Sequence, residues 1–297
     1  MFTGSLVALV TPFDGDNRVD YQSLKRLIDF HVDEGSNGLV IAGTTGESAT
    51  LTRAEHIELI ERAVEITDGR LPIIAGTGSN STAQTIDLSR SVGGLEIDAF
   101  LIVVPYYNKP VQEGLYRHFA AIADAVTKPV MMYNVPGRTV TDMLPETVAR
   151  LAVHGNIMGI KEATGDIGRL KAIQALVDND DFRYYSGDDF TLMPFIQTGG
   201  HGVVTVSGNV APRQVAELCK LSASGEGEKA KRLDDSLQRL NKALFVESSP
   251  IPVKWALSEM GLMPPGIRLP LTPFDEQYHD EMRAAMREAG VAHEEKA

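Results

Sequence analysis

Cysteine is nearly absent: Cys219 stands alone in 297 residues. A single thiol closes no intramolecular disulfide and builds no cysteine-based metal cluster, which fits a reducing compartment. Basic residues are also scarce, 28 against 40 acidic ones, for a net charge of −12. A surface of that sign repels phosphate backbones and argues against nucleic acid as a partner. An anionic small molecule would need local cations and amide donors to draw it in against the overall field. The longest apolar run, Ala99 to Val104, is too short to span a bilayer. Met1 to Thr11 carry no basic segment and their apolar stretch stops at Pro12, so no signal peptide is expected. The protein is expected to be soluble and cytoplasmic.

Several chemical signatures are missing too. Gly43–Ser48 is not followed by Gly-Lys-Ser/Thr, so it is no Walker loop. Gly76-Thr77-Gly78-Ser79-Asn80 is Gly-rich but not a dinucleotide fingerprint, and Glu55-His56 does not extend to a zinc-binding His-Glu-x-x-His. No Gly-x-Ser-x-Gly elbow occurs. The seven histidines show no ligand spacing. Cys219, inside a helical pattern, reads as a small buried apolar residue.

Strict alternation is present. Short apolar runs predict strands at Gly4–Val10, Gly38–Ala42, Ile73–Gly76, Ala99–Val104, Val130–Asn134, Ile157–Lys161, Arg183–Ser186 and Gly202–Val206. Amphipathic segments follow each: Tyr21–Glu34, Arg53–Thr67, Thr82–Val92, Gly114–Val126, Pro145–Val153, Gly168–Val177, Thr191–Gln197 and Pro212–Ser222. Asp20, Thr52 (with Glu55 at capping-box spacing) and Ser81 mark helix starts, and Pro145 suits a first turn. Eight such units predict a (β/α)₈ TIM barrel with right-handed crossovers. An open doubly wound sheet is the alternative, but its Gly-rich first turn is missing. The barrel is expected over residues 1–224. Residues 225–297 break the alternation and predict a C-terminal three-helix extension, Glu228–Leu244, Ile251–Glu259 and Asp275–Ala289, with a fraying tail after Ala289.

A barrel of this kind keeps its active site at the C-terminal ends of the strands. Lys161 ends the apolar run Ile157-Met158-Gly159-Ile160. Alternation places it on one face with Ile157 and Gly159, and on an inward face Gly159 would leave space beside the ammonium. A desolvated lysine loses its proton and attacks a ketone to form an imine. Equally, it could pair with Glu162 or Asp188 at the rim. Tyr133, one strand away, could shuttle protons or simply fill the barrel. Thr44 and Thr45 lie between Gly43 and Gly46, where hydroxyls and N–H groups could hold a carboxylate, or where a plain turn suffices. Arg138 could bind a carboxylate bidentately or form a surface ion pair. Tyr106 and Tyr107 are adjacent and need not point the same way.

Taken together, these strand ends carry a resemblance. Gly-Thr-Thr-Gly-Glu at 43–47, Pro-Tyr-Tyr at 105–107, Tyr-Asn-Val-Pro at 133–136 with Arg138, and Gly-Ile-Lys-Glu-Ala-Thr at 159–164 resemble the dihydrodipicolinate synthase family of pyruvate-dependent class I aldolases. Phe-Val-Glu at 245–247 and Pro-Ile-Pro-Val-Lys-Trp at 250–255 extend the match over nearly the whole chain. The resemblance implies a lyase of the hydro-lyase class. Lys161 forms a Schiff base with pyruvate, and the derived enamine attacks L-aspartate 4-semialdehyde. Cyclisation and release of water follow, opening lysine and diaminopimelate biosynthesis. By the same resemblance Tyr133, Thr44 and Tyr107 form a proton relay, Tyr107 reaching in from a neighbouring subunit of a homotetramer. Thr45, the Val204 backbone and Gly187 hold pyruvate, and Arg138 holds the semialdehyde carboxylate. No metal or organic cofactor is implied. Ser48, Ala49, His56, Asn80 and Tyr106 match a site where L-lysine inhibits relatives. Arg53 stands where histidine is usual and Gln84 where glutamate is usual, so weak or absent lysine inhibition is expected. The competing readings are N-acetylneuraminate lyase, a keto-deoxy sugar acid aldolase, or a catalytically dead barrel serving as a binding protein. Arg138 with Thr44-Thr45 favours the synthase over the lyases, and the presence of both Lys161 and Tyr133 argues against the dead barrel.

Overall fold

The computed structural model describes residues 2–291. The sequence does form eight strands: β1 (Gly4–Ala8), β2 (Gly38–Ile41), β3 (Ile73–Gly76), β4 (Ala99–Val103), β5 (Val130–Asn134), β6 (Ile157–Glu162), β7 (Arg183–Ser186) and β8 (Gly202–Thr205). They close in chain order into one parallel barrel, Gly4 to Val7 of β1 pairing Gly202 to Thr205 of β8. Helices return the chain between them: α1 (Tyr21–Asp33), α2 (Arg53–Thr67), α3 (Thr82–Val92), α4 (Gln112–Ala125), α5 (Pro136–Thr139), α6 (Pro145–Ala152), α7 (Ile167–Gln174), α8 (Leu192–Gln197) and α9 (Pro212–Ala223). The open-sheet alternative is therefore excluded. The starts marked in sequence are real caps. Asp20 accepts from the N–H groups of Gln22 and Ser23, Thr52 and Glu55 close a capping box, and Ser81 accepts from Gln84 N.

Both faces of the strands are apolar, as a covered parallel sheet requires. Leu6, Val40, Ile74, Leu101, Met131 and Tyr185 fill the barrel interior. Their alternate neighbours, such as Val7, Leu39, Ile73 and Phe100, pack under the helices. One place breaks this alternation. Val130 pairs with Ile157 but Met131 pairs with Gly159, so Met158 is an extra residue opposite the β5 register. The bulge turns Ile157 outward beside Ile160 and leaves Met158 against the barrel interior. The expectation that Ile157 shares a face with Lys161 is thus corrected, while Lys161 itself stays inward.

Several bounds shift. β1 ends at Ala8, α4 begins at Gln112, and α5, a single turn carrying Arg138, was not anticipated. Beyond the barrel lie α10 (Gly227–Leu244), α11 (Ile251–Glu259) and α12 (His279–Glu288). Leu237, Leu240 and Leu244 on one stripe of α10, and Met282, Ala285 and Met286 on α12, belong to the same core as the outer barrel layer. The tail expected to fray, from residue 292 on, lies outside the described residues. Among those described, no helix is long and apolar enough to cross a membrane.

Candidate active site

Lys161 stands at the C-terminal end of β6, opposite Tyr133 of β5 and Tyr185 of β7. It is only 6% exposed, yet neither rim carboxylate pairs with it. Glu162, the next residue, points away from the barrel interior. It accepts from Asn134 Nδ2 at 3.0 Å and from Thr164 N at 2.8 Å. Asp188 accepts from the Thr191 hydroxyl at 2.7 Å. The Lys161 amine instead sits 4.1 Å from the centre of the Tyr133 ring. Burial pulls its ammonium down to about 7, with the Asp189 charge opposing and the Arg138 charge assisting. A large fraction is therefore the neutral, nucleophilic amine near neutral pH.

The space for this side chain comes from a different glycine than expected. A Cβ on Gly159 would lie 2.2 Å from the Arg183 carbonyl, so Gly159 serves the close approach of β6 and β7. A Cβ on Gly187 would lie 2.8 Å from Lys161 Cε. Gly187, at the end of β7, is thus the glycine that leaves room for the amine.

Tyr133 is buried, and burial pushes its phenol up to about 12, while the Arg138 charge and a hydrogen bond with Thr44 act in the opposite direction. It holds its proton through the neutral range. Thr44 opens onto the cleft and Thr45 is buried. Their loop is pinned: the Thr11 hydroxyl donates to Gly46 O at 2.6 Å, and Ala42 and Glu47 both hold left-handed backbones, φ 55° and 53°. Arg138 donates to the carbonyl of Ser249 at 3.2 Å and forms no ion pair among the described residues, so the surface-pair reading does not hold. Val204 is buried inside β8.

Thr44, Arg138, Ser48, Ala49, His56 and Tyr106 line one cleft of about 440 Å³. Thr44 and Arg138 of the candidate catalytic and substrate-binding set therefore share this hollow with four of the candidate effector residues. Asn80 borders it, donating to Tyr106 O at 3.2 Å. His56 bonds Gly76 O at 2.7 Å, and burial lowers its pKa. Tyr106 and Tyr107 do diverge. Tyr107 is 89% exposed with φ 72° and lines no part of the cleft. A larger hollow of about 890 Å³ lies at the opposite, N-terminal end of the strands, and Cys219 lines it as a buried thiol. It contains none of the candidate catalytic or effector residues.

Two groups escaped the sequence reading. Asp189, second of an Asp-Asp pair, is buried, accepts from Val206 N and Ser207 N at 2.9 and 3.0 Å, and its charge opposes the fall in the Lys161 pKa. Glu47 and Lys254 form a buried ion pair. Only their membership in the quoted motifs singled them out.

The chain matches the dihydrodipicolinate synthetase family over residues 1–289. It belongs to this family. It is 54% identical over 291 residues to the 4-hydroxy-tetrahydrodipicolinate synthase of Pseudomonas syringae pv. syringae strain B728a, covering 98% of this chain and 99% of that one. Among solved structures it is similar to the chloride-inhibited dihydrodipicolinate synthase of Acinetobacter baumannii complexed with pyruvate, at 47% identity and TM-score 0.95, over 98% and 100% of the two chains. It is also similar to the dihydrodipicolinate synthase of Cyanidioschyzon merolae with lysine bound, at 39% identity and TM-score 0.94, over 98% and 99%. The resemblance read from the strand-end motifs is borne out, and the family makes this chain a lyase.

Proposed function

We propose that this chain condenses pyruvate with L-aspartate 4-semialdehyde, the reaction of a 4-hydroxy-tetrahydrodipicolinate synthase. The observation that carries the mechanism is a buried, unpaired lysine amine held over a buried phenol at the mouth of the barrel. Lys161 Nζ adds to C2 of pyruvate, and loss of water gives the imine. Removal of a C3 proton gives the enamine, whose C3 attacks the aldehyde carbon. The semialdehyde's own amine then displaces Lys161 from C2, closing the ring and freeing the enzyme. The net loss of one water makes it a hydro-lyase. Tyr133 and Thr44 carry protons to and from the reacting carbons. Thr45, the backbone at Val204 and Gly187 receive the pyruvate carboxylate, and Arg138, with no internal anion, receives that of the semialdehyde.

Tyr107 completes the relay from a neighbouring subunit of a homotetramer, a dimer of dimers; its almost fully exposed ring leaves it free to reach one. On this reading the catalytic barrel runs to residue 224, the helical extension begins at residue 225, and the site of action is the cytoplasm.

Borohydride reduction of the protein with pyruvate, followed by peptide mass spectrometry, should place one pyruvyl group on Lys161. An adduct elsewhere, or none, would refute the mechanism. Activity with N-acetylneuraminate exceeding that with aspartate semialdehyde in a coupled assay would transfer the protein to the sialate lyases.

Lysine inhibition should be weak or absent. Gln84 offers an amide where a carboxylate would meet the effector's ammonium. Losing a charge-assisted hydrogen bond lowers affinity by roughly tenfold to a hundredfold. Arg53 matters less than its charge suggests, because Asp87 and Ser91 hold its guanidinium at 2.8 and 2.6 Å. Half-inhibition below about 1 mM L-lysine in a steady-state assay would overturn this, since it would leave no room for that loss.

A further inference from the structure

Two motif residues have no part in the chemistry above, and they find each other across 207 positions of sequence. Glu47 ends Gly-Thr-Thr-Gly-Glu, and Lys254 lies in Pro-Ile-Pro-Val-Lys-Trp on α11. Their side chains are 1% and 2% exposed and form an ion pair. The second Glu47 oxygen accepts from Arg268 N at 3.2 Å. Lys254 Nζ and the Arg268 guanidinium each lie 4.2 Å from the centre of the Phe13 ring, so the anion and an aromatic face share the two cations.

The position of Glu47 gives this pair its consequence. Glu47 N donates to Thr44 O at 3.1 Å, and Ser48 N reaches back to Gly43 O at 3.4 Å. Glu47 itself occupies a left-handed backbone that a non-glycine residue keeps only when its surroundings enforce it. Its side chain is held by a cation from the C-terminal helices. We infer that Lys254 is a positioning residue: through Glu47 it holds the turn that aims Thr44 and Thr45 at pyruvate. The helices and the segment between α10 and α11 touch other strand-end loops. Ser249 O accepts from Arg138, and Asn241 on α10 donates to Asp189 O at 3.2 Å and accepts from the Ser207 hydroxyl at 2.5 Å. The extension braces the mouth of the barrel, and Lys254 is its buried charged contact with the pyruvate side, beside the Arg268 N–H.

This inference rests on the proposed roles of Thr44 and Thr45, so borohydride trapping on the unaltered protein comes first. Failure to label Lys161 there strikes the proposed function. Given labelling, the brace is tested in K254M, E47Q and the double variant E47Q/K254M. K254M leaves a buried carboxylate unpaired and should lower Tm strongly. The double variant removes both charges and should recover most of that Tm. Its KM for pyruvate should nevertheless stay raised by about tenfold, because the turn has lost its anchor, while KM for the semialdehyde, held by Arg138, stays within about twofold. E47Q, which keeps the shape of the side chain, should show the same split between substrates at smaller size. A merely structural pair would give a double variant with wild-type KM for pyruvate, or equal changes for both substrates, and either result overturns the proposal.

Discussion

Lys161→Ala should lower kcat/KM for pyruvate by about 10⁴-fold or more, because it removes the atom that forms the covalent bond. Among the described residues no other buried amine is free to stand in. Lys254 is the other deeply buried lysine, and Glu47 engages it. The loss should come with unchanged or improved thermal stability. Lys161 is buried without an ion pair, so folding holds its ammonium at about 7, well below the ordinary 10.5. Between those values the unfolded chain binds more protons than the folded one, and wild-type stability gains as pH rises through the window. Lys161→Ala should lose that gain, which Tm measured from pH 7 to 10 reads directly. The same depressed amine sets the pH profile of the intact enzyme. Below about 7 the amine is protonated, and kcat/KM should fall about tenfold per unit of pH. A Lys161→Ala protein with activity within about tenfold of wild type would mean that the imine forms elsewhere.

The order of strands and helices was legible because each βα unit is local: an apolar run, a cap, an amphipathic stripe. Asp20, Thr52 and Ser81 act as caps through residues only two or three positions away. What escaped depends on neighbours distant in sequence. Gly159 and Gly187 look alike in a linear reading, and only the approach of Arg183 O to one and Lys161 Cε to the other separates them. The Met158 bulge exists in the β5–β6 register, and no residue in β6 announces it. Arg138 is held by the Ser249 carbonyl, a group every residue carries. Asp188, the partner a rim reading suggests, caps a short turn instead, and the charge that bears on the lysine is that of the next residue, Asp189. The candidate catalytic residues were legible individually because strand ends in this fold are where reactive groups gather. Their electrostatics was not, since burial of Lys161 and the absence of a partner are properties of the closed barrel.

Tyr133→Phe should reduce kcat by about 10²–10³-fold with little change in Tm, the magnitude of a lost general acid–base group. The substitution isolates chemistry from packing. It keeps the ring that lies 4.1 Å from the Lys161 amine and removes only the hydroxyl. That hydroxyl keeps its proton, because burial lifts its pKa to about 12. It therefore acts first as a donor, to the oxygen that leaves C2 when the imine forms, and regains its proton through Thr44. Without it the imine still forms, slowly, since the nucleophile is intact. Borohydride should then trap pyruvate on Lys161 of Tyr133→Phe at a rate lowered in proportion to kcat, with the same labelled peptide. Thr44→Val, which breaks the next link and keeps the volume, should shift kcat in the same direction. If Tyr133→Phe retained kcat within about tenfold of wild type, the ring would be only barrel filling, and the proton at C2 would have to come from another group.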